Sequence, residues 1–486
     1  MPPEAPIESR VDDRDAPRPR AVSVEARGID FVPLSERYGT PRRLFTIWFS
    51  ANMTILGAAV GTLGIAAGLS LGWTIAGLAI GNVAGTLFMA AHSAQGPQLG
   101  IPQMIQSRAQ FGVLGAGLPL VVVVITYLLY CAANGVLIQG SIRSLVPMSD
   151  GGALVLFAAV TLIIAFVGYE LIHRLGVVLT VLSAGLFLAA TCLLLSGHAA
   201  QSPHVAAAQF SGSVFAATIT QAAAWGLSYG PYVADYSRYL PSDIPASRTF
   251  WYTGLGCFVG ATLIMAFGAY LASLEPTLAK DPANAVANLF GSGRTVAQLL
   301  IIVGVVQGNV MNLYSAYMSV ATIFSGIRGA VRTPKSHKLL IMALLMVAAT
   351  ALALLAQGNF QGYFADMLDA LIYFLVPWSA INLADYYLVR KGNYDIADMF
   401  RIDGRYGAFR WPTLGVYVLG VAVQIPFMSL SFFKGSIAQW LGADLAWIPG
   451  LLVPGILHTL FAPRTRHGLQ SVTLGSPLEG NEVERK

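Results

Sequence analysis

Trp225 is followed by Gly226, Ser228, Tyr229, Gly230 and Pro231, inside a stretch that holds no Asp, Glu, Lys or Arg from Gly176 to Ala234. Tyr127 and Tyr130 stand three apart in VVVVITYLLYCAANGVLIQG, as do Asn309 and Asn312 in another apolar run. On a helix that spacing puts both members of a pair on one face. Asn52 follows Phe49 in FTIWFSANMTILGAAVGTLG. Rings and amides of this kind can surround and hydrogen-bond a ligand, an amide setting a donor beside an acceptor. The alternative is that they bond helix to helix or fill a core, because an unpaired amide in an apolar segment is costly. Bond-making chemistry has no comparable set: the apolar segments show no His cluster, paired acid or nucleophile beside a base. Cys131, Cys192 and Cys257 lack metal-ligand spacing and read as small packing residues. The sequence predicts neither an enzyme nor a metal site.

The elements that must position these residues are membrane helices. Hydrophobic residues make up 55% of the 486 and charged residues 11%, against about 25% charged in an average soluble protein. At about 20 residues per crossing, the chain divides near 45–69, 71–94, 113–142, 152–170, 176–197, 212–234, 250–273, 296–326, 338–357, 363–389, 412–432 and 440–461. The expectation is an all-α polytopic protein of twelve transmembrane helices. Both termini and every even-numbered gap then share the side that holds most of the Lys and Arg, while the other side has Arg143, Lys280, Arg294 and Lys434. The positive-inside rule predicts cytoplasmic termini in a cell membrane. The net charge of +5 is thereby topological, and nucleic acid is not an expected partner. Residues 1–40 mix Pro, Asp, Glu and Arg without an apolar run, so they read as a disordered cytoplasmic tail rather than a signal peptide; residues 463–486 read as a second cytoplasmic tail. Lipid surrounds the chain, and no obligate protein partner is evident.

Span 1 carries Asn52, Gly57, Gly61 and Gly64 near its middle, and span 6 carries Gly226, Gly230 and Pro231. These spans open two successive sets of five helices, residues 45–197 and 212–389, with 412–461 as two further helices. Matched interruptions in two halves point to a site between inverted repeats. A helix broken in lipid exposes backbone groups at several kcal/mol each unless protein, water or ligand satisfies them. Span 6 is therefore expected to come apart halfway across the bilayer, beside Trp225. For any single glycine close packing is the competing reading, and Gly57 with Gly61 is itself a small-xxx-small pair. Asp235 and Arg238, three apart at the cytoplasmic end of span 6, read as an ion-paired inside gate or as a solvated helix end. His92, His173 and His458 lie near span ends and read as structural.

SYGPYVADYSRYLP at 228–241 resembles the span 6 signature of the purine-cytosine permeases, part of the nucleobase-cation-symport-1 family. WFSANM at 48–53, NVMNLYSAYMS at 309–319, PWSAINLADYYLVRKGNYD at 377–395 and VGYELIHRLG at 167–176 agree with it in order and spacing. The likeness runs from Leu34 to Pro463. It implies a secondary transporter of the LeuT-like 5+5 inverted-repeat fold with two added C-terminal helices, carrying nucleobases or related planar heterocycles with a proton or sodium ion. It further implies that Trp225 is an aromatic plate for the base, that Phe49 is the aromatic position on span 1, and that Asn309 contacts substrate. Tyr127 and Tyr130 stand where relatives have a glutamine or tryptophan; Ser228, Tyr229, Gly226, Asn52 and Asn312 complete the candidate set.

Relatives that use sodium place adjacent hydroxyls on span 8, where this chain has Gln307 and Gly308, so a proton is the favoured coupling ion. No carboxylate reads as lying mid-membrane to carry it: Glu170, Asp235, Asp366, Asp369 and Asp385 all fall close to predicted span ends. No cofactor is implied. The expected function is proton-coupled import of a nucleobase such as cytosine or a purine by alternating access. The alternatives are a sodium-coupled permease for allantoin, hydantoin or uracil, or, outside transport, a membrane channel or sensor.

Overall fold

The computed structural model describes residues 31–167, 169–198, 210–274, 280–328 and 334–462. Of the tails, residues 1–30 and 463–486 lie outside the described residues. Residues 31–40, expected within the disordered tail, are packed. Val32 N donates to Gly100 O (2.9 Å), Tyr38 N to Tyr239 O (2.7 Å), and the Arg37 guanidinium to Val32 O (3.0 Å) and Pro97 O (2.6 Å). The buried Val32 and Arg37 side chains supply the contacts that a reading of composition alone does not register.

In chain order the helices are α1 (Arg42–Asn52), α2 (Ile55–Ala66), α3 (Leu71–Ser93), α4 (Gly96–Leu99), α5 (Gln103–Phe111), α6 (Gly117–Leu145), α7 (Asp150–Val167), α8 (Tyr169–His198) and α9 (Gly212–Ser228). They continue as α10 (Gly230–Ser237), α11 (Ala246–Leu274), α12 (Pro282–Asn288), α13 (Arg294–Arg328), α14 (Lys335–Ala356) and α15 (Phe360–Leu383). A π-helical turn follows at Ala384–Val389, and then come α16 (Trp411–Ala422), α17 (Ser436–Leu441) and α18 (Trp447–Phe461). A two-stranded hairpin, β1 (Ser429–Leu430) and β2 (Phe433–Lys434), sits between α16 and α17. Where spans 4 and 5 were expected to be separated over 171–175, helix α8 already runs.

Among the described residues, five helical stretches are long and apolar enough to cross a bilayer: 71–99, 117–145, 246–274, 291–327 and 335–389, the last containing both α14 and α15. The α1–α2 pair, bent by 60°, makes a sixth. The apolar stretches 150–166, 181–196, 411–427 and 447–461 are shorter. Two groups of helices pack closely within themselves, α1–α3 with α9 and α11, and α6 and α7 with α13 and α14, and they meet along α6. Helix α15 touches both, lying against α9 and α6 as well as α18.

The break in span 1 is at Met53–Thr54, ahead of its glycines. Thr54 is extended (φ −130°, ψ 153°) and its hydroxyl accepts from Gly57 N, so a threonine N-cap restarts the helix as α2. The glycines do something else. A Cβ on Gly61 would meet Met265 O at 1.9 Å, and one on Gly268 would meet Ala58 O at 1.9 Å. They let α2 and α11 touch backbone to backbone, the packing use of small residues in lipid. Span 6 also departs from expectation. Pro231, lacking an N–H, stands at the start of α10, and Tyr229 N bonds to Gly226 O at 3.3 Å and Tyr232 N to Tyr229 O at 3.2 Å. Tyr229 nevertheless keeps helical angles (φ −78°, ψ −17°). The sixth crossing is stepped over one residue and does not come apart: Tyr229 stays helical and three-residue bonds carry the chain across the step.

Candidate functional site

Trp225, near the end of α9, is buried, and its Nε1 donates to Asn52 Oδ1 at 2.7 Å. Asn52 is the last residue of α1, and its Nδ2 donates back to Trp48 O at 2.5 Å. One fully buried amide thus ties the broken end of span 1 to the indole. Tyr130 of α6 donates to Ser228 Oγ at 2.9 Å, and Ser228 Oγ donates to Trp225 O at 2.7 Å. The rings of Tyr130 and Tyr229 meet Trp225 edge-on, with centroids 5.9 and 6.0 Å away and interplanar angles of 85°. Tyr127, one turn before Tyr130 on α6, reaches the same aromatic group through Tyr232 (5.8 Å). Six of the expected residues, Asn52, Tyr127, Tyr130, Trp225, Ser228 and Tyr229, therefore belong to one buried aromatic and amide cluster where α1, α6, α9 and α10 meet.

Asn309 of α13 is fully buried. Its Oδ1 accepts from Asn134 Nδ2 at 3.2 Å, while its Nδ2 has no partner among the described residues. Asn134 is one turn beyond Tyr130 on α6, so this amide borders the Trp225 cluster. One end of the amide is paired and the other is not. An unmet buried polar group costs about 1–3 kcal/mol, which a ligand bearing the complementary atom would recover.

Three expectations are corrected: the roles of Gly226 and Asn312, and a solvated end to span 6. Phe49 is half-buried, stacks on Phe45 (6.0 Å, 8°) and packs against the core that holds Tyr127, Tyr130 and Trp225; its neighbour Trp48 lies 5.3 Å from both Tyr229 and Tyr236. Adjacent residues on a helix differ by about 100° in direction, so Phe49 and Trp48 pack against different sides of this region. Gly226 presents its Cα to the Gly85–Thr86 backbone, where a Cβ would lie 3.0 Å from Gly85 C, so its small size serves the α3–α9 contact. Asn312 is half-buried, and no described hydrogen bond joins it to the cluster. Asp235 and Arg238 are not a solvated helix end: Asp235 Oδ1 accepts from Gln103 N at the start of α5 (2.8 Å), and the buried Arg238 lies over Tyr239 (5.1 Å). The segment 31–40 and helices α4 and α5 cover the end that hydropathy leaves open.

A second buried polar assembly was not expected. Asp385, fully buried, accepts from Arg390 Nε (2.9 Å), Tyr394 Oη (2.8 Å) and Gln110 Nε2 (2.9 Å), and lies 3.1 Å from His458 Nε2. It unites α5, the π turn after α15, the loop beyond and α18. The chain of polar contacts continues from Gln110 through Asn382 to Gln95 and Gln103, and Gln103 contacts His92, which stacks on Trp378 at 4.7 Å. In α5, Arg108 bonds Thr322 O and Met399 O (3.0 and 3.2 Å), and burial pushes its guanidinium down to about 10. Among the described residues no group of three or more His, Cys, Asp or Glu could hold a metal ion.

Comparison with known proteins decides the family. Residues 31–449 match the model of a permease family for cytosine/purines, uracil, thiamine and allantoin. The chain belongs to this family. A putative purine-cytosine permease of Bacillus subtilis is 41% identical, over 92% of this chain and 97% of that protein. A purine-cytosine permease of Saccharomyces cerevisiae is 26% identical, over 91% of this chain and 86% of its own length. In fold the chain is similar to Mhp1, a nucleobase-cation-symport-1 family transporter. The TM-score is 0.72 to an inward-facing form (17% identity, 91% of this chain, 94% of that one). It is 0.71 to a closed form with bromovinylhydantoin bound (18% identity, 89% and 94%). The chain is thus a membrane permease of the purine-cytosine permease family, with a helical fold similar to that of Mhp1, and not an enzyme.

Proposed function

We propose that this permease imports a nucleobase, cytosine or a purine, together with a proton, by alternating access. The observation that carries the reading is the buried Trp225 indole, fixed by Asn52 at the break of span 1 and bordered by the unmet amide end of Asn309. A base has two flat faces and a rim of donors and acceptors. Stacking on an indole is worth about 1–3 kcal/mol per base, and an amide matches the paired donor and acceptor of a base edge. A base entering would replace an edge-on tyrosine, Tyr130 or Tyr229, with a stacked ring, and would take up the Asn309 amide. Span 1 and α9, joined at Asn52, would then move together against α6 and α13.

The finer layout belongs to the same reading: twelve crossings, two inverted five-helix repeats over 45–197 and 212–389, two C-terminal helices over 412–461, and cytoplasmic termini. It is supported by the break at Met53–Thr54 in the first span of one half and the one-residue step at Tyr229 in the first span of the other, and by the bias of Lys and Arg between the two sides. Sodium is the weaker choice because span 8 offers the half-buried Gln307 and the exposed Gly308, not paired hydroxyls, at the expected positions. One charge moved through about 100 mV releases roughly 2.3 kcal/mol, about fifty-fold accumulation. The test is uptake of labelled cytosine, adenine, guanine and hypoxanthine by cells that lack their own permeases. Saturable uptake of at least one supports the reading; uptake of none, with allantoin or hydantoin entering instead, refutes the substrate.

A further inference from the structure

Acidic side chains gather on one stretch of α15, and one of them is unlike the rest. Asp369 is more than nine-tenths buried and stands nine residues after the first residue of α15, Phe360. At 1.5 Å per residue it lies about 14 Å along the helix, near the middle of its 24 residues. Its Oδ2 is 3.5 Å from Gln221 Nε2 of α9, at the outer limit of a hydrogen bond, and its Oδ1 has no partner among the described residues. Gln221 is four residues before Trp225 and so on the same face of α9. The carboxyl is one helical turn from the indole.

The charged neighbours do not compensate it. Asp366, one turn earlier, accepts from Ser431 N (2.8 Å) and from the Ser431 hydroxyl; Asp444 accepts from the Tyr373 hydroxyl, Ser429 N (2.6 Å) and Ala446 N (2.9 Å). These two acids latch the β1–β2 hairpin segment over α15. Of the other elements packed on α15, α9 has no titratable side chain over Gly212–Ser228. Helices α3 and α18 bring His92 and His458, which are bound at Ser379 and Asp385 towards the opposite end of α15. Helix α5 brings Arg108, bound at Thr322 O; α16 brings Tyr417, bound at Phe374 O; and α6 brings Tyr127 and Tyr130, which face the aromatic cluster. No cation is paired with Asp369 among the described residues. An ionised carboxylate in this position would cost several kcal/mol, a cost that a proton removes.

We propose that Asp369 carries the coupled proton, its neutral form allowing α15 to seat against α9 above the bound base. This rests on the proton-coupled reading given above. With α15 away from α9, Asp369 faces extracellular water and is ionised. It takes one proton from that water to form an O–H bond, and α15 closes. After the protein opens inward and the base leaves, the O–H bond breaks and the proton passes to cytoplasmic water. One proton accompanies one base, and no other bond changes. Base on Trp225 and proton on Asp369 bear on the same pair of helices, so closure needs both.

The test uses full-length protein in lipid vesicles and whichever of labelled cytosine, adenine, guanine or hypoxanthine the wild type accumulates under an inward pH gradient. Asp369→Asn imitates the protonated side chain. It is expected to lose accumulation, falling to an inside-to-outside ratio of one, while exchange of the same base between equal concentrations persists and no longer depends on pH. Accumulation by Asp369→Asn equal to that of the wild type overturns the inference while leaving the function intact. If Asp369→Asn loses exchange as well, Asp369→Glu decides: a shifted pH midpoint for accumulation supports the inference, and an unshifted one overturns it. A wild type driven by sodium without any pH gradient refutes the proton reading itself, separately from Asp369.

Discussion

Replacing Trp225 tests the site most sharply, because its two contributions can be removed one at a time. Trp225→Ala takes away the plate, and a stack worth about 1–3 kcal/mol corresponds to base binding weaker by roughly five-fold to more than a hundred-fold. Trp225→Phe keeps a ring but loses the Nε1–H donated to Asn52 Oδ1 at 2.7 Å. The buried Asn52 oxygen is then unpaired at about 1–3 kcal/mol. That cost falls mainly on the junction between α1 and α9, since Asn52 also holds Trp48 O. The expected order of affinity is wild type, then Trp225→Phe, then Trp225→Ala. Trp225→Ala also leaves a void, costing about 3–5 kcal/mol of stability, so membrane level and thermal unfolding are measured beside binding of labelled base in detergent. Both variants folded and binding base as tightly as the wild type would refute the assignment of the indole.

Three other substitutions probe neighbouring claims. Asn309→Leu should weaken base binding about ten-fold if its open amide end meets the base, whereas a purely interhelical role would lower only the melting temperature, by orphaning Asn134. Gly268→Ala puts a methyl 1.9 Å from Ala58 O, so α2 and α11 must part; about 1–3 kcal/mol of stability should be lost in a thermal melt, and an unchanged melt would contradict the close approach. Arg390→Ala strands the buried Asp385 carboxylate and should cost about 3–5 kcal/mol, while Arg390→Gln with Asp385→Asn should cost less than Arg390→Ala alone; the reverse order would mean that the pair is not coupled.

Much of this was legible because polar side chains in an apolar run need a reason. Trp225, Ser228, Asn52 and Tyr130 stood out on that ground, and the structure brings them together. The break of span 1 lies at Met53–Thr54, ahead of the glycines that draw the eye in the sequence. Its signal was Thr54, an N-cap residue ahead of an apolar run, while Gly61 was occupied with packing. The Asp385–Arg390 pair is hidden by its spacing: five residues is wrong for an α-helix, and the π turn, with Arg390 N on Asp385 O at 2.8 Å, brings the two together. Asp369 read as a residue near a span end because hydropathy does not register the hairpin at 429–434 that is folded over α15. Partners such as His458 and Gln110, distant along the chain, leave no local pattern to find.

The central claim is that a proton gradient drives a nucleobase through this chain. The direct measurement is accumulation of labelled cytosine, adenine, guanine and hypoxanthine in sodium-free vesicles holding the purified protein, with the outside more acidic than the inside. The account predicts that at least one base concentrates inside, and that a protonophore collapses the accumulation. No accumulation of any base under that gradient, or accumulation that appears only when a sodium gradient is supplied, would contradict it.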